Sequence, residues 1–332
     1  MRTKARFPAI ARDAGHYESF YIKATRPDGG LGVWIRHTIH KRPNAEPTGS
    51  IWFVLFDGEA PAPVATKATF PAGGISTPGG AYVRIDRAQV EPGGAEGEIH
   101  TDVLDAEWDL SFEDRGDDVL HHLPYGWMYR APLPRTKLLS PHPQAHFSGR
   151  LNVAGREIEL DAWPGMIGHN WGAEHAERWT WIQAAGFAGD DSYFDIGAGR
   201  IKVGPWTTPW IANGMLRIDG RSHRLGGLDR VRATEVHDSP TECAFRIPGR
   251  GIVVRGRVHA EPRRFVAWVY SDPDGGEHNT LNCSISDLDL IVEREGAETR
   301  KITVKGGAAY EIGMRETDHP SPVEPYADGE PA

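Results

Sequence analysis

Cysteine and long apolar runs are both scarce in this chain. Its 332 residues include only Cys243 and Cys283, which excludes a disulfide framework and a zinc ribbon, and we expect both to be buried free thiols. No stretch approaches the roughly 18 consecutive apolar residues of a transmembrane helix, and the segment up to Phe20 has no apolar stretch long enough for a signal peptide. We therefore expect a soluble, cytoplasmic protein without a transmembrane segment.

Signatures of nucleotide, metal and serine-hydrolase chemistry are also missing. The chain contains no Gly-x-x-x-x-Gly-Lys-Ser/Thr, no His-Glu-x-x-His and no Gly-x-Ser-x-Gly. His169 and His175 are six residues apart, a spacing that suits neither one helix face nor one strand face, so we expect no metal site. The 37 basic and 46 acidic residues give a net charge of −9, which argues against nucleic acid as a partner.

Helical periodicity is almost absent, whereas 39 glycines and 25 prolines separate many short apolar runs. That spacing is typical of strands joined by turns, so we predict an all-β protein with very little helix. A single soluble barrel made of so many strands would be hollow, and two antiparallel β-barrel or sandwich domains packed together are more reasonable. The predicted domains are 14–165 and 166–315, followed by a flexible tail at 316–332.

Local patterns predict two hairpins and one strand that is covered on both sides. The turns at 152–156 and 217–221 each place glycine where a tight hairpin needs a positive φ. Residues 50–56 are apolar on both strand faces, which is expected at a contact between two barrels. The strand around Trp34 and Arg36 has one polar but aromatic-tipped face, which suits a cavity wall.

The most informative segment is a glycine-punctuated turn at 165–172 followed by a tryptophan-rich strand at 179–187. Successive strand residues face opposite sides, so two indoles, one amide and one phenyl ring share a face: Trp179, Trp181, Gln183 and Phe187. Together they look like a pocket wall near a domain junction, where ligand clefts tend to lie. Eleven tryptophans in the chain also allow the alternative that these aromatics are ordinary core.

The sequence His169-Asn170-Trp171-Gly172 followed by Trp179-x-Trp181-x-Gln183 resembles a segment of one lipocalin-like superfamily. The superfamily contains carotenoid 1,2-hydratases (hydroxyneurosporene synthases), AttH-type proteins, tocopherol cyclases and the yeast survival-factor proteins. Weaker matches are residues 17–23, similar to the first strand of these proteins, and residues 108–112, similar to a strand late in their first half. The resemblance extends from about residue 16 to 187.

The resemblance implies two lipocalin-like barrels that enclose a hydrophobic isoprenoid- or polyketide-like small molecule. It also implies an enzyme without a cofactor, which performs acid-assisted cyclisation, hydration or isomerisation through a proton donor in a dry pocket. The candidate catalytic residues are His169, Glu18, Glu174 and Asp195. The candidate substrate-binding residues are Asn170, Trp171, Trp179, Trp181, Gln183, Phe187, Trp34 and Arg36.

One departure and several alternatives stay open at this point. The hydratases and AttH-type proteins carry an aspartate directly before the motif histidine, and this chain has Gly168 there, which places hydration in doubt. A non-catalytic carrier of hydrophobic ligands is the main alternative, and a purely structural aromatic stripe is another. The structural alternative predicts no cavity of about 300 Å³ or more near Trp181. Homo-oligomerisation is left open.

Overall fold

The computed structural model describes residues 3–114, 119–189, 191–321 and 323–327. Within these residues the chain is nearly all β, which confirms the predicted fold class. The helical segments are six short 3-10 turns: Phe7–Ala9, Ala72–Gly74, Pro78–Gly80, Gly126–Tyr129, Leu228–Ala233 and Pro262–Arg264. None of the described helices has the length and apolar content needed to cross a membrane.

Twelve strands from the first half of the chain form one antiparallel sheet. In chain order they are β1 (His16–Thr25), β2 (Leu31–Lys41), β3 (Thr48–Asp57), β4 (Val64–Pro71), β5 (Ile75–Ser76), β6 (Val83–Ile85), β7 (Ala88–Glu91), β8 (Gly94–His100), β9 (Asp105–Asp114), β10 (Leu120–His121), β11 (Thr136–Val153) and β12 (Arg156–Gly172). The spatial order is β4-β3-β2-β1-β12-β11-β9-β8-β7-β6-β5, with β10 beside β11. The sheet curls around an apolar interior, as a barrel does.

The second half of the chain adds thirteen strands. They are β13 (Arg178–Ala185), β14 (Tyr193–Arg200), β15 (Lys202–Val203), β16 (Trp206–Thr207), β17 (Ile211–Ile218), β18 (Arg221–Gly226), β19 (Glu235–Asp238), β20 (Glu242–Gly249), β21 (Ile252–His259), β22 (Val266–Ser271), β23 (Glu277–Arg294), β24 (Arg300–Met314) and β25 (Val323–Ala327). Apart from the separate β15–β16 pair, they form a sheet ordered β19-β20-β18-β17-β14-β13-β24-β23-β22-β25. Strand β21 pairs with both β20 and β23 and thereby closes a barrel.

The chain passes from the first sheet to the second later than the predicted division at 165/166. Strand β12 stays in the first sheet through Gly172, and the second sheet begins at Arg178. The predicted tail differs as well, because residues 323–327 form a strand parallel to β22. The division into domains stays a prediction, and the strand pairing supports a boundary between 172 and 178.

Strand β3 lies where the two sheets meet. The side chains of Ile51, Phe53 and Leu55 belong to the core inside the first sheet. Those of Trp52, Val54 and Phe56 belong to the core shared with the second sheet, where Trp52 meets Trp268 edge to face at 4.9 Å. The prediction that residues 50–56 are covered on both sides is confirmed. The outer face of β1–β3 and β12 therefore packs against the second sheet.

Candidate active site

A cavity of about 190 Å³ lies between the two sheets. The first sheet contributes Tyr21, Trp34, Arg36 and Asn170 to its wall, and the second sheet contributes Trp179, Trp181, Tyr270 and Glu311. The volume is below the 300 Å³ that separates a ligand pocket from a purely structural aromatic stripe, so the structural alternative stays open on this criterion. The same volume is above the roughly 150 Å³ of an engineered apolar cavity that binds benzene, so a small ring system fits inside.

Strand alternation on β13 is responsible for the aromatic wall. Trp179 and Trp181 both line the cavity, as predicted. The indole N–H of Trp181 donates to Oδ1 of Asp195 at 3.0 Å, and that of Trp179 donates to Oε1 of Glu311 at 3.0 Å. A buried indole N–H needs a hydrogen-bond acceptor, and Asp195 and Glu311 provide one each. The two hydrogen bonds therefore fix the orientation of the indole rings.

The other two members of the predicted wall lie elsewhere. Gln183 is fully buried beyond the cavity, and neither atom of its amide has a hydrogen-bond partner among the described residues. Strand β13 ends at Ala185, and Gly186 then turns the chain with φ 73°. Phe187 therefore lies outside the strand, where its side chain is half-buried. Neither residue lines the cavity, so their predicted contact with substrate lacks support.

Arg36 brings a buried positive charge to the opposite wall. Its guanidinium lies over the ring of Tyr270 at 3.9 Å and donates from Nε and Nη2 to the hydroxyl of Ser19 at 3.0 and 2.8 Å. Contact with an aromatic face stabilises a desolvated guanidinium. Trp34 lies two residues earlier on β2 and on the same face, as predicted.

Two of the predicted catalytic residues, Glu18 and His169, contact each other, but on the other face of the sheet. In the β1–β12 register, Glu18 is opposite Trp171 and Phe20 is opposite His169, and side chains paired in this way share one face. His169 stacks on Phe20 at 4.0 Å and on Trp171 at 4.5 Å. None of these four residues lines the cavity, whereas their neighbour Asn170 does.

Glu18 is held by several hydrogen-bond donors and does not line this cavity. It receives the backbone N–H groups of Arg6 and Phe7 and contacts His169 Nε2 at 2.7 Å. Burial alone would raise the pKa of Glu18, but hydrogen bonds from His16 and His169 outweigh it and lower that pKa to about 2. Burial lowers the pKa of His169, and Glu18 offsets only part of this effect. The arrangement is a buried anchor for the N-terminal segment.

The two remaining catalytic candidates have different positions. Glu174 is part of a surface ion pair with Arg135 at 2.6 Å and does not line the cavity. Asp195 is fully buried just behind the wall, where it accepts hydrogen bonds from Trp181 and from Ser140 Oγ at 2.6 Å. It also lies 3.5 Å from Nε2 of His122, a residue that lines the cavity. Asp195 therefore positions wall residues and does not itself face the cavity.

His175 lines the same cavity and is paired with Asp272, a contact that the sequence did not single out. His175 is in the connection between β12 and β13, and its Nδ1 lies 2.7 Å from Oδ1 of Asp272. His278 Nε2 lies 3.2 Å from the other carboxylate oxygen. Burial alone would raise the pKa of Asp272, but hydrogen bonds from both histidines lower it well below its usual range.

The protonation state of His175 follows from this contact. An ionised carboxylate only accepts hydrogen bonds, so Nδ1 of His175 carries the proton and donates it to Asp272. Burial lowers the pKa of His175 and outweighs the opposing effect of Asp272, so the ring is neutral near pH 7. Its Nε2 is then a bare lone pair, which is buried and has no hydrogen-bond partner among the described residues. A neutral imidazole oriented by a carboxylate is the arrangement of a general base.

Glu311 is a second ionisable group that sequence reasoning missed. Its carboxylate lines the cavity and accepts hydrogen bonds from Trp179, from Tyr270 at 3.4 Å and from Asn282 at 3.1 Å. Asp272 and Glu311 are both far along the chain from the motif, and neither belongs to a recognisable pattern. Only strand pairing brings them to the tryptophan-rich segment.

The donor set of His175, Asp272 and His278 fits a metal ion poorly. Their potential ligand atoms lie within 4.8 Å of one another. A histidine that binds a metal, however, normally donates its second ring N–H to an acceptor. Nε2 of His175 and Nδ1 of His278 have no such acceptor among the described residues. A hydrogen-bonded network explains the three side chains better than a metal centre does.

The absence of a side chain at Gly168, directly before His169, has a steric explanation. Gly168 is opposite Tyr21 in the β1–β12 register, and the tyrosine ring lies directly over it. A Cβ at residue 168 would be 2.0 Å from Cζ of Tyr21 and 2.4 Å from its hydroxyl oxygen. An aspartate therefore cannot occupy position 168 while Tyr21 occupies the cavity wall.

Comparison with known proteins shows the fold and leaves the family open. No family model matches the chain. The uncharacterised protein Rv0493c of Mycobacterium tuberculosis is 27% identical over 319 residues, which cover 96% of this chain and 92% of that protein. An AttH-like protein from Nitrosomonas europaea has a similar structure, with a TM-score of 0.55, 16% identity, and coverage of 94% of this chain and 97% of its own.

CghA, solved with Sch210972, is also similar in structure. Its TM-score is 0.53 at 12% identity, over 90% of this chain and 88% of its own. At these identities the likeness concerns the fold alone. The chain has the lipocalin-like arrangement of two barrel-like antiparallel sheets.

Proposed function

We propose that this protein is a cofactor-independent enzyme that binds a hydrophobic small molecule between its two sheets and rearranges it by proton transfer. The observation that carries the proposal is His175, a neutral imidazole oriented by a buried carboxylate in the wall of an aromatic cavity. A perturbed titratable group of this kind in an apolar pocket is a recurrent feature of active sites. His169, Glu18 and Glu174 have no part in the proposed chemistry, since they do not line the cavity.

The cavity walls favour an apolar ligand with a ring or isoprenoid unit at the reacting end. The indoles of Trp34, Trp179 and Trp181 belong to a cavity lining that is mostly apolar. At about 190 Å³ the cavity holds one ring system, so a longer isoprenoid or polyketide chain would extend towards Leu228 at the surface. The resemblance to carotenoid 1,2-hydratases and tocopherol cyclases supports the same substrate class.

The proposed reaction begins with proton removal. Nε2 of His175 takes a proton from a carbon or hydroxyl group of the ligand, and Asp272 stabilises the resulting imidazolium. Return of that proton to a different carbon completes an isomerisation. In a cyclisation the proton removed is that of the ligand's own hydroxyl, whose oxygen attacks a double bond, and the proton is delivered to the neighbouring carbon. In a hydration the imidazole takes the proton from a water molecule that attacks the double bond, and that proton is delivered to the neighbouring carbon. No electrons are exchanged, so these steps need no redox partner.

The experiment starts with native mass spectrometry of protein purified from its own host, to find the retained ligand. The extracted ligand is then incubated with the protein in D₂O, and deuterium bound to carbon is measured. We expect incorporation with the wild type and a loss of 100-fold or more in rate with His175→Gln, the size expected for removal of a general base.

His278→Gln is the matched control, because His278 contacts the same carboxylate but does not line the cavity. It should keep most of the exchange rate. A ligand that binds to the wild type but gains no deuterium at carbon would contradict the enzymatic proposal and would identify the protein as a carrier.

A further inference from the structure

We infer that the substrate of this cavity carries a carbonyl oxygen and that the hydroxyl of Tyr21 is its hydrogen-bond donor. The inference rests on the proposed function and deepens it by naming a substrate class. It is carried by the position of Tyr21 on the wall formed by the first sheet and by the glycine that makes room for its ring.

The ring of Tyr21 is held in place from two sides. Gly168 lies beneath it, where any side chain would collide, and Trp181 meets it edge to face with 5.5 Å between ring centroids. The position over Gly168 includes the hydroxyl oxygen, but neither contact is a hydrogen bond to that hydroxyl. No described residue forms a hydrogen bond with that hydroxyl, whereas the buried Tyr82 bonds to His142 at 2.9 Å.

The phenol stays protonated under all ordinary conditions. Burial raises the pKa of Tyr21 well above its usual value, and the nearby carboxylates of Asp195 and Glu311 raise it further. Tyr21 is therefore a fixed O–H donor in a largely apolar cavity. A ligand without a hydrogen-bond acceptor would displace water from this donor and leave the donor unpaired, which costs binding free energy.

A carbonyl oxygen fits this donor and the base His175, which lines the same cavity. Carbon next to a carbonyl is the kind of carbon from which a neutral imidazole can remove a proton. The hydrogen bond from Tyr21 would stabilise the negative charge that develops on the oxygen as the proton leaves. Arg36, whose charge acts on Tyr21 in the same wall, adds positive potential there.

The test compares acetophenone with ethylbenzene, two probes of similar size that differ in the carbonyl oxygen. Binding is measured by ligand-observed NMR titration of the full chain. We expect Tyr21→Phe to weaken acetophenone binding about fivefold, the ratio expected for one neutral hydrogen bond, and to change ethylbenzene binding by less than twofold. Tyr82→Phe is the control, since Tyr82 is equally buried, at 8% exposure, and does not line the cavity.

The outcomes separate this inference from the proposed function. Equal changes for both probes in Tyr21→Phe, or no change for acetophenone, would overturn the carbonyl assignment and leave an apolar binding cavity intact. Binding of neither probe to the wild type would overturn both proposals. Removal of an unpartnered hydroxyl leaves the free energy of unfolding unchanged or raises it, so Tyr21→Phe should fold.

Discussion

Replacement of His37 by leucine should make the protein more resistant to acid. His37 is on β2 between Ile35 and Ile39, and it is fully buried on the face that forms the core of the first sheet. Neither of its ring nitrogens has a hydrogen-bond partner among the described residues. Burial lowers the pKa of His37 from 6.5 to about 3.

The size of the effect follows from proton linkage. Below pH 6.5 the unfolded chain binds a proton at His37 that the folded protein does not accept until about pH 3. Stability is therefore complete above pH 6.5 and decreases as the pH falls through this window. Each pH unit is worth about 1.4 kcal/mol, so between pH 6.5 and pH 4 this single group removes about 3 kcal/mol of unfolding free energy.

Urea unfolding of the wild type and of His37→Leu at pH 7 and pH 4 measures this difference. We expect the variant to lose about 3 kcal/mol less than the wild type between the two pH values. His100→Leu is the control, because His100 is exposed and its pKa is raised by a hydrogen bond to Asp105. Equal losses in the wild type and in His37→Leu would refute the burial of a neutral imidazole at this position.

Three further substitutions test the cavity and the Glu18 anchor. Trp181→Ala and Trp108→Ala should each lower the free energy of unfolding by about 3–5 kcal/mol. Only Trp181→Ala should weaken the binding of apolar probes, measured by calorimetry. Equal weakening in both variants would contradict the assignment of Trp181 to the cavity wall. Glu18→Gln should destabilise the protein by a few kcal/mol at pH 7 and by progressively less as the pH falls from about 4.5 towards 2, because the folded-state pKa is lowered. The free energy of unfolding is measured from denaturation curves at several pH values. A difference between Glu18→Gln and the wild type that does not change with pH would contradict that account.

Local pattern was sufficient to predict many of the strands and both hairpin turns. The glycine-punctuated turn predicted at 165–172 is wrong, because these residues pair with β1 and continue strand β12 to Gly172. The turns at Ala154-Gly155 and Asp219-Gly220 both have positive φ at two successive residues, as the predicted hairpins require. The alternation on β13 brought Trp179 and Trp181 to one face, because a period of two follows directly from strand geometry. These features depend only on residues that are close in sequence.

Pairing between distant strands decided what local pattern could not. The motif residue His169 faces away from the cavity because its register with Phe20 assigns it to the inner face of the first sheet. A slip of one residue would have exchanged His169 and Asn170 between the two faces. The partner of His175 is Asp272, 97 residues further along the chain, and no spacing rule connects them.

The cavity has one wall from each sheet, so neither half of the chain can form it alone. A molecule seated between Tyr21 and Trp181 touches both halves simultaneously. Its affinity would then contribute to the free energy that keeps the halves associated, and the bound small molecule would act as a non-covalent cross-link. A chain cleaved in the connection at 173–177 would consequently hold its two fragments together more tightly when the ligand is present.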